Sequence, residues 1–118
     1  MNSNKSNEMK RAEFIKKLHS TFKATKALAK KYNIDIQSFK AHPYDGFDSE
    51  GKIYEIKVTT NPKTYSSLKS SPFNRFSRLQ TENILNLNFI IGGYCDIHGR
   101  VKQCFKMELF NGKIGEVN

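Results

Sequence analysis

A stripe of mostly apolar positions runs through the first quarter of the chain. Between about Asn7 and Tyr32 its members recur every three or four residues, at Ile15, Leu18, Phe22, Thr25, Leu28 and Tyr32. This spacing predicts an amphipathic α-helix, with lysines filling much of its polar side. Asn33 is expected to end the helix, and the polar residues 1–6 are expected to fray.

Alternating apolar and polar positions predict the strands that follow. They cover Ile34–Phe39, Tyr44–Asp48, Lys52–Thr60, Asn88–Asp96 and Val101–Phe110, with a last short strand after the turn at Asn111-Gly112. Gly92-Gly93 indicates either a bulge or a close approach of another element.

The region between the third and fourth of these strands has a different character. Asn61–Pro72 has the composition of a loop, and Phe73–Leu87 favours a helix over its latter two thirds. The predicted fold class is therefore α/β: an N-terminal helix and a central mixed, mostly antiparallel sheet flanked by helices. The 118 residues are expected to form one domain.

The hairpin between the second and third predicted strands has a register that turn chemistry and burial both favour. A three-residue loop, Ser49–Gly51, with Gly51 in the left-handed conformation, pairs Asp45 with Glu55. A two-residue loop would send Asp45 to the apolar face, where an unpaired carboxylate is costly. Opposed residues point to the same side, so Asp45, Glu55 and Lys57 should share a more open face of the sheet.

The charge pattern gives this trio a chemical meaning. Lys and Arg number 20 against 11 Asp and Glu, a net charge of +9 that favours an anionic partner, nucleic acid first. Yet five of the 11 acids fall between Asp35 and Glu55, where they would repel phosphate unless a cation bridged them. Two neighbouring carboxylates suit Mg²⁺ or Mn²⁺, and Lys57 could orient the water or hold the phosphate.

The same residues resemble a known nuclease motif. Asp45, nine intervening residues and then Glu55-Ile56-Lys57 are similar to the D…ExK motif of the PD-(D/E)xK nuclease superfamily, although Pro43 stands two residues before Asp45 rather than directly before it. Over roughly Glu8–Phe110, the resemblance implies a restriction-endonuclease-like core and Mg²⁺-dependent cleavage of DNA.

What the resemblance implies for individual residues can be stated by position. Asp45, Glu55 and Lys57 would be catalytic, with Asp45 and Glu55 as metal ligands and the Ile56 carbonyl as a further one. Glu8 of the first helix is a weaker additional ligand, and Asp48 is an alternative to Asp45 if the loop register differs.

Several functional alternatives stay open at this point. A small type II restriction-like enzyme leads, followed by a junction-resolvase-like nuclease, an RNase toxin of the same fold, a non-catalytic nucleic-acid-binding domain and a protein-interaction module. Cutting both strands of a duplex needs two sites, which predicts a homodimer or a partner subunit. The phosphate backbone would meet a basic segment that follows the site, with contacts from Lys63, Lys69, Asn74, Arg75 and Arg78.

Cellular location is addressed only indirectly by the sequence. No apolar run is long enough to span a membrane, and residues 1–11 have no apolar core of a secretory signal. Cys95 and Cys104 are expected to be free thiols in a reducing compartment, which predicts a cytoplasmic protein.

Overall fold

The computed structural model of the chain describes residues 3–37, 44–80 and 86–117. In chain order the elements are α1 (Ser3–Lys31), β1 (Asp35–Ile36), β2 (Tyr44–Phe47), β3 (Ile53–Thr59), α2 (Pro62–Ser70), α3 (Pro72–Arg75), a 3₁₀ turn (Ser77–Gln80), β4 (Phe89–Cys95), β5 (Val101–Phe110) and β6 (Lys113–Val117). The predicted α/β class is confirmed at this level: an N-terminal helix and a six-stranded mixed sheet.

The six strands lie side by side in the order in which they occur in the chain. Every neighbouring pair is antiparallel except β3 and β4, which run parallel. A parallel pair needs a long crossover connection, and α2, α3 and the 3₁₀ turn lie in it. We call residues 60–88 the crossover; it contains residues 81–85, which are outside the described ranges.

One face of the sheet is covered by the second half of α1. Ala24, Leu28 and Ala29 pack with Tyr54, Ile56 and other residues of one core cluster. The helix begins at Ser3, earlier than predicted and within the segment expected to fray. Asn33, with a φ of 56°, follows its end as predicted.

The first half of α1 projects past the core of the protein. Residues 7–17 are all exposed, and from residue 7 onward the first buried side chain is that of Ser20. Ile15, at 44 % exposure, therefore does not belong to the core, and the predicted stripe is buried only in its later part. The molecule is correspondingly long, 54 Å against 26 and 23 Å.

The crossover covers the opposite face, and its first part corrects the prediction of a loop. Asn61 caps α2 by accepting hydrogen bonds from the backbone N–H groups of Lys63 and Thr64, with Pro62 at the start of the helix. Tyr65 and Leu68 are buried beneath it. The loop prediction for Asn61–Pro72 was wrong, because the serine-rich composition outweighed the helical spacing of Tyr65 and Leu68, which are three residues apart.

The later part of the crossover is only partly as predicted. Phe76 and Leu79 pack into a second core cluster with Ile90 and Phe105. The helix predicted over the latter two thirds of Phe73–Leu87 is a 3₁₀ turn up to Gln80, and residues 81–85 lie outside the described chain. Gly92 makes the predicted close approach, because a Cβ there would collide with the Phe105 ring. No described helix combines the length and apolarity needed to cross a bilayer.

Candidate active site

The β2–β3 hairpin has the predicted register. Asp45 lies directly opposite Glu55, and Gly51, with a φ of 78°, adopts the left-handed conformation expected of the loop. Directly paired residues project from the same face of a sheet, so both carboxylates lie on the crossover face. The alternation along β3 brings Lys57 to that face as well, two residues beyond Glu55.

Asp48 stabilises the turn of this hairpin. Its Oδ1 accepts the backbone N–H groups of Glu50 and Lys52 at 2.9 and 3.0 Å, and its Oδ2 accepts the Tyr54 hydroxyl at 3.2 Å. Both oxygens of the Asp48 carboxylate are therefore used to stabilise the turn. Asp45, and not Asp48, is the acid that lies opposite Glu55.

Glu55 is fully buried, whereas the sequence predicted that it would lie on a more open face of the sheet. The crossover covers it: Ser77 Oγ donates a 3.0 Å hydrogen bond to Glu55 Oε1, and the Arg78 backbone N–H also bonds to this carboxyl. Burial raises the pKa of Glu55, the nearby charge of Asp45 adds to the rise, and the contacts with Ser77 and Arg78 oppose it.

The second carboxylate oxygen of Glu55 has an unusual position. Oε2 is buried and accepts no hydrogen bond from any residue in the described part of the chain. Buried polar atoms are nearly always paired, so this oxygen requires an explanation, such as an ion or a water.

Asp45 and Lys57 are more accessible than Glu55. The Asp45 side chain is 41 % exposed, and its Oδ1 lies 3.3 Å from Arg78 Nη1. Lys57 Nζ donates a 3.0 Å hydrogen bond to the backbone carbonyl of Arg75. Burial lowers the pKa of Lys57, and the Arg75 charge lowers it further, whereas Glu55 opposes the shift. The crossover thus holds the ammonium group on the same side as the acids.

The residues present fit a magnesium-type ion. Asp45 and Glu55 supply hard oxygen ligands, and Oε2 is an acceptor that a cation would satisfy. Within residues 3–37, 44–80 and 86–117, no third His, Cys, Asp or Glu joins them. Water and phosphate oxygens would complete the shell, as is usual for Mg²⁺.

Two weaker predicted ligands have different positions. Glu8 is exposed on the projecting half of α1. It precedes the first buried residue, Ser20, by a helical rise of about 18 Å, at 1.5 Å per residue. The side chain of Ile56 is buried in the core, so only its carbonyl is available, and its role as a ligand stays a prediction.

The residues predicted to contact the phosphate backbone are spread along the crossover. Lys63, Asn74 and Arg75 are exposed on α2 and α3. Lys69 pairs with Glu116 at 3.7 Å. Arg78 was predicted to contact the phosphate backbone, but its guanidinium group contacts Asp45 in the candidate active site.

Ser77 is the site residue that sequence reasoning missed. It lies 22 residues from Glu55 in the chain, and its side-chain hydrogen bond depends on the fold of the crossover. A serine in a serine-rich segment carries no local pattern that would single it out.

In comparisons with family models, curated proteins and solved structures, nothing matches this chain.

Proposed function

We propose that this protein is a metal-dependent endonuclease with a restriction-endonuclease-like core, which hydrolyses phosphodiester bonds in DNA with Mg²⁺, or with Mn²⁺ in its place. The observation that supports it most is the direct pairing of Asp45 with Glu55, whose Oε2 is buried without a described partner. A cation held between the two acids would satisfy this oxygen and relieve their repulsion.

Each residue of the trio has a distinct proposed role. Asp45 and Glu55 hold the ion, which supplies Lewis-acid polarisation of the phosphate and a more acidic water when bound. Lys57 holds a nonbridging phosphate oxygen or the attacking water. Its ammonium group has three donors, and within the described part of the chain the Arg75 carbonyl uses one of them, which leaves two for this task.

The charge of the chain supports an anionic substrate. A net charge of +9 draws nucleic acid toward the protein, while five of the 11 acids are concentrated between Asp35 and Glu55. RNA stays an alternative to DNA, because the trio contacts only the phosphodiester group common to both.

The proposal is tested by incubating supercoiled plasmid with the protein in Mg²⁺ and in EDTA. We expect cleavage in Mg²⁺ only, and a loss of at least about 100-fold in rate for Lys57→Ala, because the charge it stabilises develops in the transition state. Glu55→Gln and Asp45→Asn should also lose cleavage and Mg²⁺ binding. Lys113→Ala, at an exposed lysine on β6, is the matched control and should cut normally.

The substrate panel decides between the proposed activity and its rivals. Linear duplex, a four-way junction, single-stranded DNA and single-stranded RNA are tested in parallel. A folded protein that cuts none of them with Mg²⁺ or Mn²⁺ overturns the nuclease proposal, and so does a Lys57→Ala variant with the wild-type rate.

We also propose that duplex cleavage involves a homodimer or a partner subunit, because one site cuts one strand. The plasmid assay resolves this point through its products. A single site releases nicked circles first, whereas two coordinated sites release linear DNA directly. Sedimentation of the protein with and without DNA measures the corresponding change in oligomeric state.

A further inference from the structure

A groove lies between the projecting half of α1 and the sheet. Two cavities form it, of about 210 and about 560 Å³, and they adjoin because Lys17 and Thr60 line both. We call this pair of cavities the α1 groove.

The α1 groove includes one residue of the candidate active site, Lys57. Lys57 lines the smaller cavity together with Val58 and Thr59, the residues that follow it on β3. The larger cavity continues to the end of β4, where Tyr94 and Cys95 line it. A chain-like ligand held in the groove would therefore pass beside Lys57, whereas Asp45 and Glu55 line neither cavity.

The lining of the α1 groove combines positive charge with an exposed aromatic ring. Phe14 lines the smaller cavity and is 61 % exposed, so its ring is accessible to a ligand there. Lys16 and Lys17 are exposed beside it, and α1 carries eight basic against two acidic side chains between residues 7 and 31.

Two acids, Glu13 and Asp96, also line the larger cavity. Positive charge therefore predominates in the smaller cavity rather than in the larger one. Glu13 is exposed there, while Asp96 accepts backbone N–H groups of its own turn and lies 3.8 Å from Lys102 Nζ. Among the described residues that line the smaller cavity, next to Lys57, the charged ones are lysines and none is acidic, so phosphate is favoured there.

We propose that the α1 groove binds a single strand of nucleic acid, with a base stacked on Phe14 and a phosphate held by Lys17. This inference rests on the proposed nuclease function and specifies its substrate as one with an unpaired strand. Exposed aromatic rings interleaved with basic side chains are the usual surface for single strands. Cavities of a few hundred Å³ suit a ligand of nucleotide size, whereas a duplex, whose major groove alone is about 12 Å wide, does not enter them.

The test is a binding assay without metal, so that it does not depend on cleavage. Fluorescence anisotropy of a labelled 12-nucleotide single strand, as DNA and as RNA, is measured in EDTA with wild type and variants. Phe14→Ala should weaken binding by about 5- to 150-fold, the range expected for one stacked base. Phe110→Ala is its matched control: Phe110 is 69 % exposed but lies at the far end of β5.

Lysine variants test the phosphate contact separately. Lys17→Ala should lower the slope of log affinity against log salt by about 0.7, as expected for one lost phosphate contact on a single strand. The control Lys113→Ala should leave the slope unchanged. An unlabelled duplex of equal length should compete poorly with the labelled strand.

The outcomes separate this inference from the nuclease proposal. Equal binding by the Phe14→Ala and Phe110→Ala variants, or equal competition by duplex and single strand, overturns the groove assignment even if the protein cuts DNA. Single-strand binding that needs Phe14 and Lys17 supports the groove assignment even if no cleavage is found.

Discussion

Arg78 and Asp45 form an ion pair across the candidate active site, with 3.3 Å between Nη1 and Oδ1. The backbone N–H of the same arginine bonds to Glu55. One residue of the crossover therefore contacts both acids of the hairpin. In the absence of metal, the arginine provides the positive charge that Asp45 needs, so a cation that binds there competes with it.

Removal of the Arg78 guanidinium group should strengthen metal binding. Half-exposed ion pairs contribute up to about 1 kcal/mol, so we expect Arg78→Gln to raise the Mg²⁺ affinity by about 1.5- to 5-fold. Calorimetric titration without DNA measures it. Lys69→Gln, which breaks the comparable pair with Glu116, is the control and should leave the affinity unchanged. Weaker Mg²⁺ binding by Arg78→Gln would show that the arginine supports the ion instead.

Glu55 should make the metal-free protein less stable as the pH rises. Burial raises the folded pKa of this carboxyl above its ordinary value of 4.5. Its contribution to stability is therefore complete below pH 4.5 and is lost as the pH rises through the folded pKa. We expect the Tm of Glu55→Gln minus that of wild type, measured in EDTA, to increase from pH 4.5 upward.

Two comparisons check this assignment. Glu50→Gln, at a turn position whose side chain is 72 % exposed, should give a Tm difference that is nearly flat with pH. Mg²⁺ should raise the Tm of wild type but not that of Glu55→Gln, because binding to the folded state alone is stabilising. A flat Tm difference for Glu55→Gln would contradict the raised pKa.

Loss of the Ser77 hydroxyl should destabilise the fold through Glu55. Ser77→Ala leaves Oε1 of a buried carboxyl without its side-chain donor, which typically costs about 1–3 kcal/mol. Urea unfolding at neutral pH in EDTA measures the change. Ser70→Ala removes an exposed hydroxyl that donates to the Ser66 carbonyl in its own helix, and it should change stability by less than about 0.5 kcal/mol. Equal effects for the two variants would mean that Ser77 does not support Glu55.

The close approach of Phe105 to Gly92 should make substitution of this glycine destabilising. Because the added Cβ of Gly92→Ala would collide with the buried Phe105 ring, we expect a loss of about 1–3 kcal/mol in the free energy of unfolding. Gly115→Ala is the control, since no described residue lies within 4 Å of the Cβ position there. Denaturant unfolding of both variants provides the comparison, and an unchanged Gly92→Ala protein would contradict the packing.

The hairpin was predictable because its determinants are local. A left-handed glycine ends the loop, alternation assigns each side chain to a face, and the penalty for burying Asp45 excludes the shifted register. All of this information lies within about fifteen residues. The same is true of the helix end at Asn33 and of the strands β4 and β5.

The sequence alone therefore determined the pairing of Asp45 with Glu55, the side of the sheet that Lys57 occupies, and the α/β class. Only the tertiary structure decided that Glu55 is buried, that Ser77 and Arg78 contact it, and that half of α1 projects past the sheet. The physical reason is the parallel pairing of β3 and β4, which carries the crossover over the acids. No local pattern encodes such a long-range contact, since it depends on how the two core clusters pack on opposite faces of one sheet.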